Sequence, residues 1–295
     1  MRQSRISSAG IVVFSVCLLS ACQSYVVKDL DLIRPDHLTG YKTKKVFDAP
    51  QLQAILPQAV MQEERVLSAP GLVGAVESTQ SSPLLGISVK LPDAKTTVLY
   101  FGGNLSHVDD NGPRLARLAS ACPMSYTTFD YRGYGRSLGM PDVLILRDDA
   151  LRIYDAVRAK TTGKLVVHGY SLGSFIAGHI AANRPVDGLV LEGSGTTPLE
   201  VVQARIPWYY QPFVTVTVSD NLKQVNNLAA VSKHSGKILM VSGENDASTP
   251  EPLARKLYDS LVSTQKDYVL VANGTHYNLL NDPRAKNAYC QFVLN

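Results

Sequence analysis

Leu165-Val-Val-His-Gly-Tyr-Ser-Leu-Gly-Ser-Phe-Ile-Ala177 is the most informative stretch of this 295-residue sequence. A short apolar run leads into Gly169-Tyr-Ser-Leu-Gly173, and small residues at helical spacing follow. This order predicts a strand, a sharp turn and a helix, with Ser171 at the tip of the turn. The pattern G-x-S-x-G in that setting is typical of a nucleophile elbow, in which the serine backbone is strained and side chains at the glycine positions would crowd the turn. An ordinary glycine-rich turn is the alternative interpretation.

Strand-like and helix-like segments continue this pattern from about Glu64 onwards. The strand-like runs are Arg65–Ser68, Leu85–Lys90, Thr97–Phe101, Ser125–Phe129, Leu165–His168, Gly188–Leu191, Lys237–Ser242 and Tyr268–Val271. The helix-like segments are Pro113–Ser120, Pro141–Ala159, Ser171–Asn183, Pro250–Ser263 and Asn281–Val293. The first three strands have no helix between them, so they predict an antiparallel edge. The later alternation predicts an α/β fold with a mostly parallel sheet of about eight strands and helices on both faces.

A serine hydroxyl becomes a useful nucleophile when a base lies within hydrogen-bond reach and a carboxylate orients that base. Behind such an elbow, the chain order is serine, then acid, then histidine. His276, in the loop Asn273–Asn278 after the last strand, fits this order. The other histidines precede Ser171, lie on its helix, or precede the best acid; they are His37, His107, His168, His179 and His234.

The acid is expected in a loop after a late strand. Lys237–Ser242 is such a strand, and Asp246 lies in the segment Gly243–Pro250 that follows it. An aspartate ahead of a proline can also be a turn or helix-capping residue. Glu192, at the end of the preceding strand, is the second candidate, whereas Glu244 is expected to point elsewhere.

Developing negative charge on an acyl oxygen has to be met by fixed N–H groups. The Leu172 N–H, directly after the nucleophile, is the first expected donor. The Asn104 N–H, in the loop Phe101-Gly-Gly-Asn-Leu-Ser106, is the second, because Gly102 and Gly103 let that backbone approach a substrate. A simple glycine turn is the alternative for this loop.

Together these motifs resemble the α/β-hydrolase superfamily, in the branch of monoacylglycerol lipases, lysophospholipases and acyl-protein thioesterase-like enzymes. The blocks that carry the resemblance are Asp130–Ser137, His168–Gly173, Gly243–Asp246 and Gly274–His276, within roughly residues 64–290. The resemblance implies the α/β-hydrolase fold and hydrolysis of a carboxylic ester or thioester without a cofactor. That branch usually has His-Gly-Asn where this chain has Gly102-Gly-Asn104. Arg132 and Arg136 are expected to hold their own loop rather than bind substrate.

Two further expectations follow from the resemblance. The insertion at about 194–232 would form a small cap over the active site. Its segment Ile206–Val214 holds the sole tryptophan, Trp208, and these side chains could line an acyl pocket, meet lipid, or only pack the cap onto the core. The helices that carry Cys122 and Cys290 pack side by side in the resembled fold, so a disulfide bond and two separate buried thiols both stay open.

The first residues predict an export signal rather than part of the fold. Arg2 and Arg5 precede the apolar run Ile11–Leu19, which is too short to span a bilayer comfortably. The run ends at Leu19-Ser-Ala-Cys22, which resembles the lipobox of bacterial lipoprotein signal peptides. A plain secretory peptide with a chance cysteine is the alternative.

The lipobox resemblance implies removal of residues 1–21 and acylation of Cys22, which would anchor the chain durably. Gln23, where an aspartate would resemble an inner-membrane retention signal, favours the outer membrane facing the periplasm. We therefore expect a tether and lead-in over 22–62 and one hydrolase domain over 63–295.

Composition narrows the remaining classes of function. A hydrophobic share of 45% supports one sizeable domain, and the net charge of +4 is too small to suggest a nucleic-acid partner. No Cys/His cluster has the spacing of metal ligands. We expect a membrane-anchored serine hydrolase of the bacterial envelope that acts on a small-molecule or lipid ester. The alternatives are a peptidase of the same fold, for which no acidic cluster is apparent near the cap, and an idle binding module, against which the intact triad argues.

Overall fold

The computed structural model describes residues 23–42, 45–73, 76–78 and 82–295. The predicted signal sequence and Cys22 lie outside these residues. The strands are β1 (Gln23–Val27), β2 (Val60–Leu67), β3 (Gly71–Val73), β4 (Val76–Ser78), β5 (Pro83–Lys90), β6 (Thr96–Phe101), β7 (Ser125–Phe129), β8 (Lys164–Tyr170), β9 (Gly188–Glu192), β10 (Val214–Val218), β11 (Ile238–Gly243) and β12 (Lys266–Val271). The α-helices are α1 (Asp29–Leu32), α2 (Asp36–Thr39), α3 (Ala49–Ile55), α4 (Val108–Ala121), α5 (Val143–Lys160), α6 (Leu172–Asn183), α7 (Pro198–Ala204), α8 (Asp220–Lys223), α9 (Asn227–Val231), α10 (Glu251–Asp259) and α11 (Pro283–Leu294). Short 3-10 helices lie at Gln211–Phe213 and Leu279–Asn281.

The central sheet of the described chain has eight strands in the order β12-β11-β9-β8-β6-β7-β5-β2. All neighbours from β12 to β7 are parallel, whereas β5 is antiparallel to both β7 and β2. The predicted eight-stranded, mostly parallel sheet is confirmed. The predicted antiparallel edge is wrong in one strand, since β6 lies between β7 and β8 and is parallel to both. Its residues 98–101 are all buried, as a strand covered on both faces requires.

Alternate residues of β6 separate two hydrophobic cores. Val98 and Tyr100 belong to the core that includes residues of α3, α4 and α11. Leu99 and Phe101 belong to the core on the opposite face, with residues of α5, α6 and α10. Each fully buried side chain of this kind contributes about 1.5–3 kcal/mol of transfer free energy. Helices therefore cover both faces of the sheet.

A disulfide bond joins Cys122, which caps α4, to Cys290 in α11, with 5.1 Å between the Cα atoms. The two cysteines are 168 residues apart in the sequence. Closing so long a loop lowers the conformational entropy of the unfolded chain. In the chain-entropy model this stabilises the folded state by up to about 5 kcal/mol.

The lead-in is more regular than the sequence suggested. β1 pairs in parallel with β10, with Gln23 opposite Val214 and Val27 opposite Val218. Val27 then packs into a separate small core with residues of β10, α8 and the start of α5, among them Val143. The segment after residue 22 is therefore part of the folded unit rather than an irregular tether. Sequence reasoning missed β1 because four of its five residues are exposed, which leaves no alternating pattern.

The loops that follow β6, β8, β11 and β12 meet at the carboxyl edge of the sheet, because these strands are parallel. They carry Asn104, Ser171, Asp246 and His276, respectively. Within the described part of the chain, no helix is both long enough and apolar enough to cross a membrane.

Candidate active site

Ser171 forms the turn between β8 and α6, with φ of 54° and ψ of −117°. Such a backbone costs a non-glycine residue about 1–3 kcal/mol. A Cβ atom on Gly169 or Gly173 would collide with a backbone carbonyl oxygen, so the turn requires both glycines. The Ser171 N–H donates to the Glu192 carbonyl oxygen at 2.9 Å. These contacts hold the serine side chain at the edge of the sheet.

His276 lies between Ser171 and Asp246. Its Nε2 is 2.8 Å from the Ser171 Oγ, and its Nδ1 is 2.8 Å from the Asp246 Oδ2. Both His276 and Asp246 are buried. The structure thus brings the three predicted residues into one hydrogen-bonded chain. In this arrangement an imidazole can take the serine proton while the carboxylate fixes its orientation.

The Asp246 carboxylate is held by more than His276. The backbone N–H groups of Ser248 and Thr249 donate to its Oδ1, and the Thr249 hydroxyl donates to its Oδ2, each at 2.8 Å. Burial alone would raise the pKa of Asp246, but the hydrogen bonds from His276 and Thr249 outweigh it and lower the pKa. The carboxylate therefore stays ionised. Sequence reasoning missed Thr249, although a Ser or Thr shortly after an aspartate is a recurrent turn pattern.

Glu192, the second candidate acid, contacts Arg114 and His168 rather than His276. Its buried carboxylate lies 2.7 Å from the Arg114 guanidinium and 3.0 Å from the His168 Nε2. Burial would raise the pKa of Glu192, but the Arg114 charge and the hydrogen bond to His168 lower it instead. Glu244 accepts a hydrogen bond from the Asn273 N–H at 2.8 Å and so points away, as expected. Among the described residues, Asp246 is therefore the acid that contacts His276.

The loop after β6 approaches the nucleophile closely. A Cβ atom on Gly103 would lie 3.0 Å from the Tyr170 ring and 3.2 Å from the Ser171 Cβ. Leu172 is the first residue of α6, so its N–H belongs to the N-terminal turn, whose amide groups have no partner within the helix. Asn104 and Leu172 both line the cavity that contains Ser171. The glycine turn thus serves to bring the backbone to the serine.

The Asn104 side chain fastens this loop to the lead-in. Its Nδ2 donates to the Leu32 carbonyl oxygen at 2.6 Å. Its Oδ1 accepts from the Arg34 N–H at 3.0 Å and from the Tyr134 hydroxyl at 2.9 Å. Sequence reasoning missed Leu32 and Arg34 because the lead-in shows no motif. The tyrosine comes from the Asp130–Ser137 loop, where Arg132 binds Asp149 and Arg136 binds Asp109, as expected of a structural loop.

The cavity over Ser171 and His276 has a volume of about 570 Å³. Its apolar lining comes from the lead-in, α5, α6, α7 and residues 222–225, and includes Leu32, Ile33, Val143, Phe175, Ile176, Pro198, Val201, Leu222 and Val225. Three cationic residues, Arg34, Arg147 and Arg205, and one acid, Asp31, also line it. The Arg34 guanidinium has no hydrogen-bond or ion-pair partner among the described residues.

The described part of the chain contains no group of three or more His, Cys, Asp and Glu residues that could hold a metal ion.

Trp208 lies outside this cavity. Its side chain is 80% exposed, and it contacts Tyr209 rather than the cavity wall. For Trp208, the interpretations that it lines an acyl pocket or packs the cap onto the core are therefore both wrong, whereas Ile206 and Val214 of the same segment do pack against the small core. Trp208 lies in the turn Pro207–Tyr210, and the residues nearby in sequence that line the cavity are Pro198 and Val201 of α7 and Arg205.

Comparisons with known proteins agree with this architecture. Residues 102–218, which include the turn at Ser171, match the alpha/beta hydrolase family. Lysophosphatidylserine lipase ABHD12 of Rattus norvegicus is 30% identical over 178 residues, which cover 55% of this chain and 44% of the relative. Protein bem46 of Schizosaccharomyces pombe is 26% identical over 214 residues, which cover 68% of this chain and 67% of the relative. This chain spans about half the length of the lipase relatives.

A solved structure matches over more of the chain. The Pyrococcus furiosus esterase Pf2001 superposes with a TM-score of 0.66 at 13% identity, over 88% of this chain and 97% of the esterase. At that identity the likeness concerns the fold alone. It confirms the predicted α/β-hydrolase fold.

Proposed function

We propose that this chain, which has the α/β-hydrolase fold and matches the alpha/beta hydrolase family over residues 102–218, is a serine hydrolase that cleaves carboxylic esters or thioesters by acyl transfer. The observation that carries the proposal is the hydrogen-bonded chain from Ser171 through His276 to Asp246, with the serine on a strained turn that opens into a cavity. The strained backbone at Ser171 has a physical explanation if the turn holds the serine hydroxyl against the base His276.

The two hydrogen-bond distances of His276 support the following order of steps. The Ser171 Oγ attacks the acyl carbon while His276 Nε2 takes its proton, and the Asp246 carboxylate stabilises the imidazolium. The N–H groups of Leu172 and Asn104 hold the negative oxygen of the tetrahedral intermediate. The imidazolium then protonates the departing alcohol, which leaves an acyl-serine. Water, deprotonated by His276, attacks that ester, releases the carboxylic acid and restores Ser171.

The cavity lining favours an amphiphilic ester with an anionic group. Apolar side chains can hold an acyl chain, and each buried CH₂ contributes about 0.8 kcal/mol. The Arg34 guanidinium, exposed at the cavity and without a partner among the described residues, is suited to a phosphate or carboxylate. The relatives named as lysophosphatidylserine lipases support such a substrate. A peptidase that binds a cationic peptide terminus agrees less well with this cavity, because its lining contains three arginines and one acidic residue, Asp31.

We also propose that acylated Cys22 anchors the chain at the bacterial envelope, as the lipobox resemblance implies. The disulfide bond between Cys122 and Cys290 supports an oxidising compartment outside the cytoplasm.

Kinetics on p-nitrophenyl esters test the proposed reaction. Ser171→Ala should reduce hydrolysis to background, and His276→Ala should do nearly the same, because such residues act as a unit. Asp246→Asn should lower kcat by about 10⁴, because the amide favours the wrong imidazole tautomer. Circular dichroism would confirm that each variant is folded.

Glu192→Gln is the matched control, because it neutralises a buried carboxylate that does not contact His276. It should retain far more activity than Asp246→Asn. Full activity in Ser171→Ala would contradict the reaction itself. A folded Glu192→Gln variant with lower activity than Asp246→Asn would contradict only the assignment of the acid.

A further inference from the structure

Four exposed aromatic side chains lie within residues 208–213 and are here called the aromatic surface: Trp208, Tyr209, Tyr210 and Phe213. Their exposed fractions are 80%, 53%, 54% and 47%, respectively. The rings of Trp208 and Tyr209 pack edge to face at 5.8 Å, and those of Tyr209 and Tyr210 lie 4.7 Å apart. Contiguous exposed apolar side chains of this kind mark interaction sites. None of them takes part in the proposed reaction.

Local hydrogen bonds hold the aromatic surface in place. The Tyr210 N–H donates to the Pro207 carbonyl oxygen at 2.8 Å, and the Phe213 N–H donates to the Tyr210 carbonyl oxygen at 2.9 Å. Two prolines, Pro207 and Pro212, further restrict this backbone. The rings are therefore presented outward by an ordered turn, which lowers the entropy cost of binding.

The aromatic surface lies beside the end of the chain that carries Cys22. Phe213 directly precedes Val214, the first residue of β10, which is paired with Gln23, the first residue of β1. Paired strands lie about 4.8 Å apart, so the Gln23 end of β1 lies beside the Phe213 end of β10, and Cys22 directly precedes Gln23 in the sequence. Acyl chains on Cys22 would thus begin next to these aromatic rings.

The chemistry of both segments suits a lipid surface. Residues 206–219 and 23–27 contain no charged side chain, so insertion would desolvate no charge. Tryptophan and tyrosine favour the interface between lipid head groups and acyl chains, because each ring has an apolar body and a polar group. Arg205, which immediately precedes this segment, lines the cavity over Ser171. A lipid leaving the bilayer at the aromatic surface would therefore be close to the cavity.

We propose that the aromatic surface inserts into the interface of the membrane to which Cys22 tethers the chain, and so holds the active-site cavity next to the bilayer. This inference builds on the anchoring proposed above and not on hydrolysis. The tether alone would leave the domain free to rotate, whereas a second contact fixes its orientation.

Trp208 is the only tryptophan in the sequence and therefore serves as an intrinsic probe. The acylated full chain would be reconstituted into vesicles of phosphatidylethanolamine and phosphatidylglycerol, with or without brominated acyl chains that quench nearby indoles. We expect the Trp208 emission to shift to shorter wavelength on the vesicles, and to lose intensity with the brominated lipid.

The control variant combines Trp208→Phe with Val262→Trp. Val262 is 64% exposed and lies between α10 and β12. It precedes a parallel strand and so lies at the amino edge of the sheet, opposite the edge that carries Ser171. Its tryptophan should keep both wavelength and intensity on the same vesicles.

Three results would overturn the proposal. The first is Trp208 emission that the brominated lipid leaves unchanged. The second is equal quenching in the control variant, which would mean that the domain has no fixed orientation. The third is a shift that depends on protein concentration in detergent alone, which would mean that a second copy of the chain covers the rings. If the chain proves not to be acylated, it would be added to the same vesicles without reconstitution. Quenching of the Trp208 emission by the brominated lipid would then support the proposal, and unchanged emission would contradict it.

The measurement is independent of catalysis. Ser171→Ala should give the same fluorescence as the unmodified chain. Lost hydrolysis with retained quenching would thus concern the proposed reaction only, and lost quenching with retained hydrolysis of soluble esters would concern the aromatic surface only.

Discussion

The Asp130 carboxylate lies in the buried loop after β7, where it accepts hydrogen bonds from the backbone N–H groups of Val108 and Arg136 at 2.7 and 2.8 Å. Burial outweighs these bonds and raises the pKa of Asp130 to about 6. Asp246 has the opposite balance, because the hydrogen bonds from His276 and Thr249 outweigh burial there and lower its pKa. The two carboxylates therefore make opposite contributions to the pH dependence of stability.

Asp130 should make the folded state less stable as the pH rises. Its pKa is about 6 in the folded chain and about 3.9 in an unfolded one, so the folded state holds the extra proton between these values. Stability from this group is fully present below about pH 4 and is lost as the pH rises through about 6, by roughly 3 kcal/mol in total. Asp130→Asn removes this titration, so the stability of the unmodified chain relative to this variant should be greater at pH 4.5 than at pH 7.

Urea denaturation of both proteins at the two pH values measures that difference. All other titrating groups are common to the two chains and cancel. A difference in unfolding free energy that stays constant, or that grows towards pH 7, would contradict the raised pKa.

At the scale of elements, the active-site edge depends on the contact between the loop after β6 and the lead-in. Asn104 makes this contact through Leu32 on one side and Arg34 on the other. The loop also contains Leu105 at a φ of 65°, an unfavourable value for leucine. Side-chain hydrogen bonds from Asn104 therefore hold a backbone conformation that the loop would not keep by itself.

Asn104→Ala should lower kcat on short esters by about 10–100-fold, because a donor displaced by about 1 Å no longer meets the oxyanion. KM should change little, since that interaction develops in the transition state. Asn226→Ala is the matched control, because Asn226 caps α9 through the Ala229 N–H outside the cavity lining. It should lose about 1 kcal/mol of stability and keep its kcat. Equal kcat values for the two variants would argue against a positioning role for Asn104.

At the scale of the whole molecule, local patterns predicted the sheet and the arrangement at its edge. The apolar runs gave all eight strands of the central sheet, although their pairing order differed at β6. Chain order together with the expected loops after the late strands favoured Asp246 and His276 as partners of Ser171, with Glu192 as the second candidate acid, and the structure places the first three within hydrogen-bond distance. Such predictions succeed because parallel strands deliver their loops to one edge, whatever the details of packing.

Contacts distant in sequence were not predictable in the same way. β1 is exposed on four of its five residues, and its pairing with β10 depends on a strand far along the chain. The sequence left an acyl pocket, contact with lipid and core packing open for Trp208, and its ring is mostly exposed. Hydrophobicity specifies that a side chain avoids water, but not whether protein or another apolar phase covers it.

The proposed anchoring of the whole chain depends on one residue, Cys22. Cys22→Ala should block acylation, and the chain should accumulate as an unprocessed precursor, which mass spectrometry of the membrane fraction would detect. Cys17→Ala is the matched control within the same predicted leader and should mature normally. A soluble, fully processed Cys22→Ala protein would instead support the plain secretory peptide.

Covalent trapping of the nucleophile tests the proposed reaction most directly. A fluorophosphonate probe reacts with a serine only when a base activates its hydroxyl and nearby donors stabilise the charge that develops. We predict one adduct per chain, located by peptide mass spectrometry on Ser171, and none in a folded Ser171→Ala variant. A folded chain that stays unlabelled, or an adduct on another residue, would contradict the assignment of Ser171 as the nucleophile.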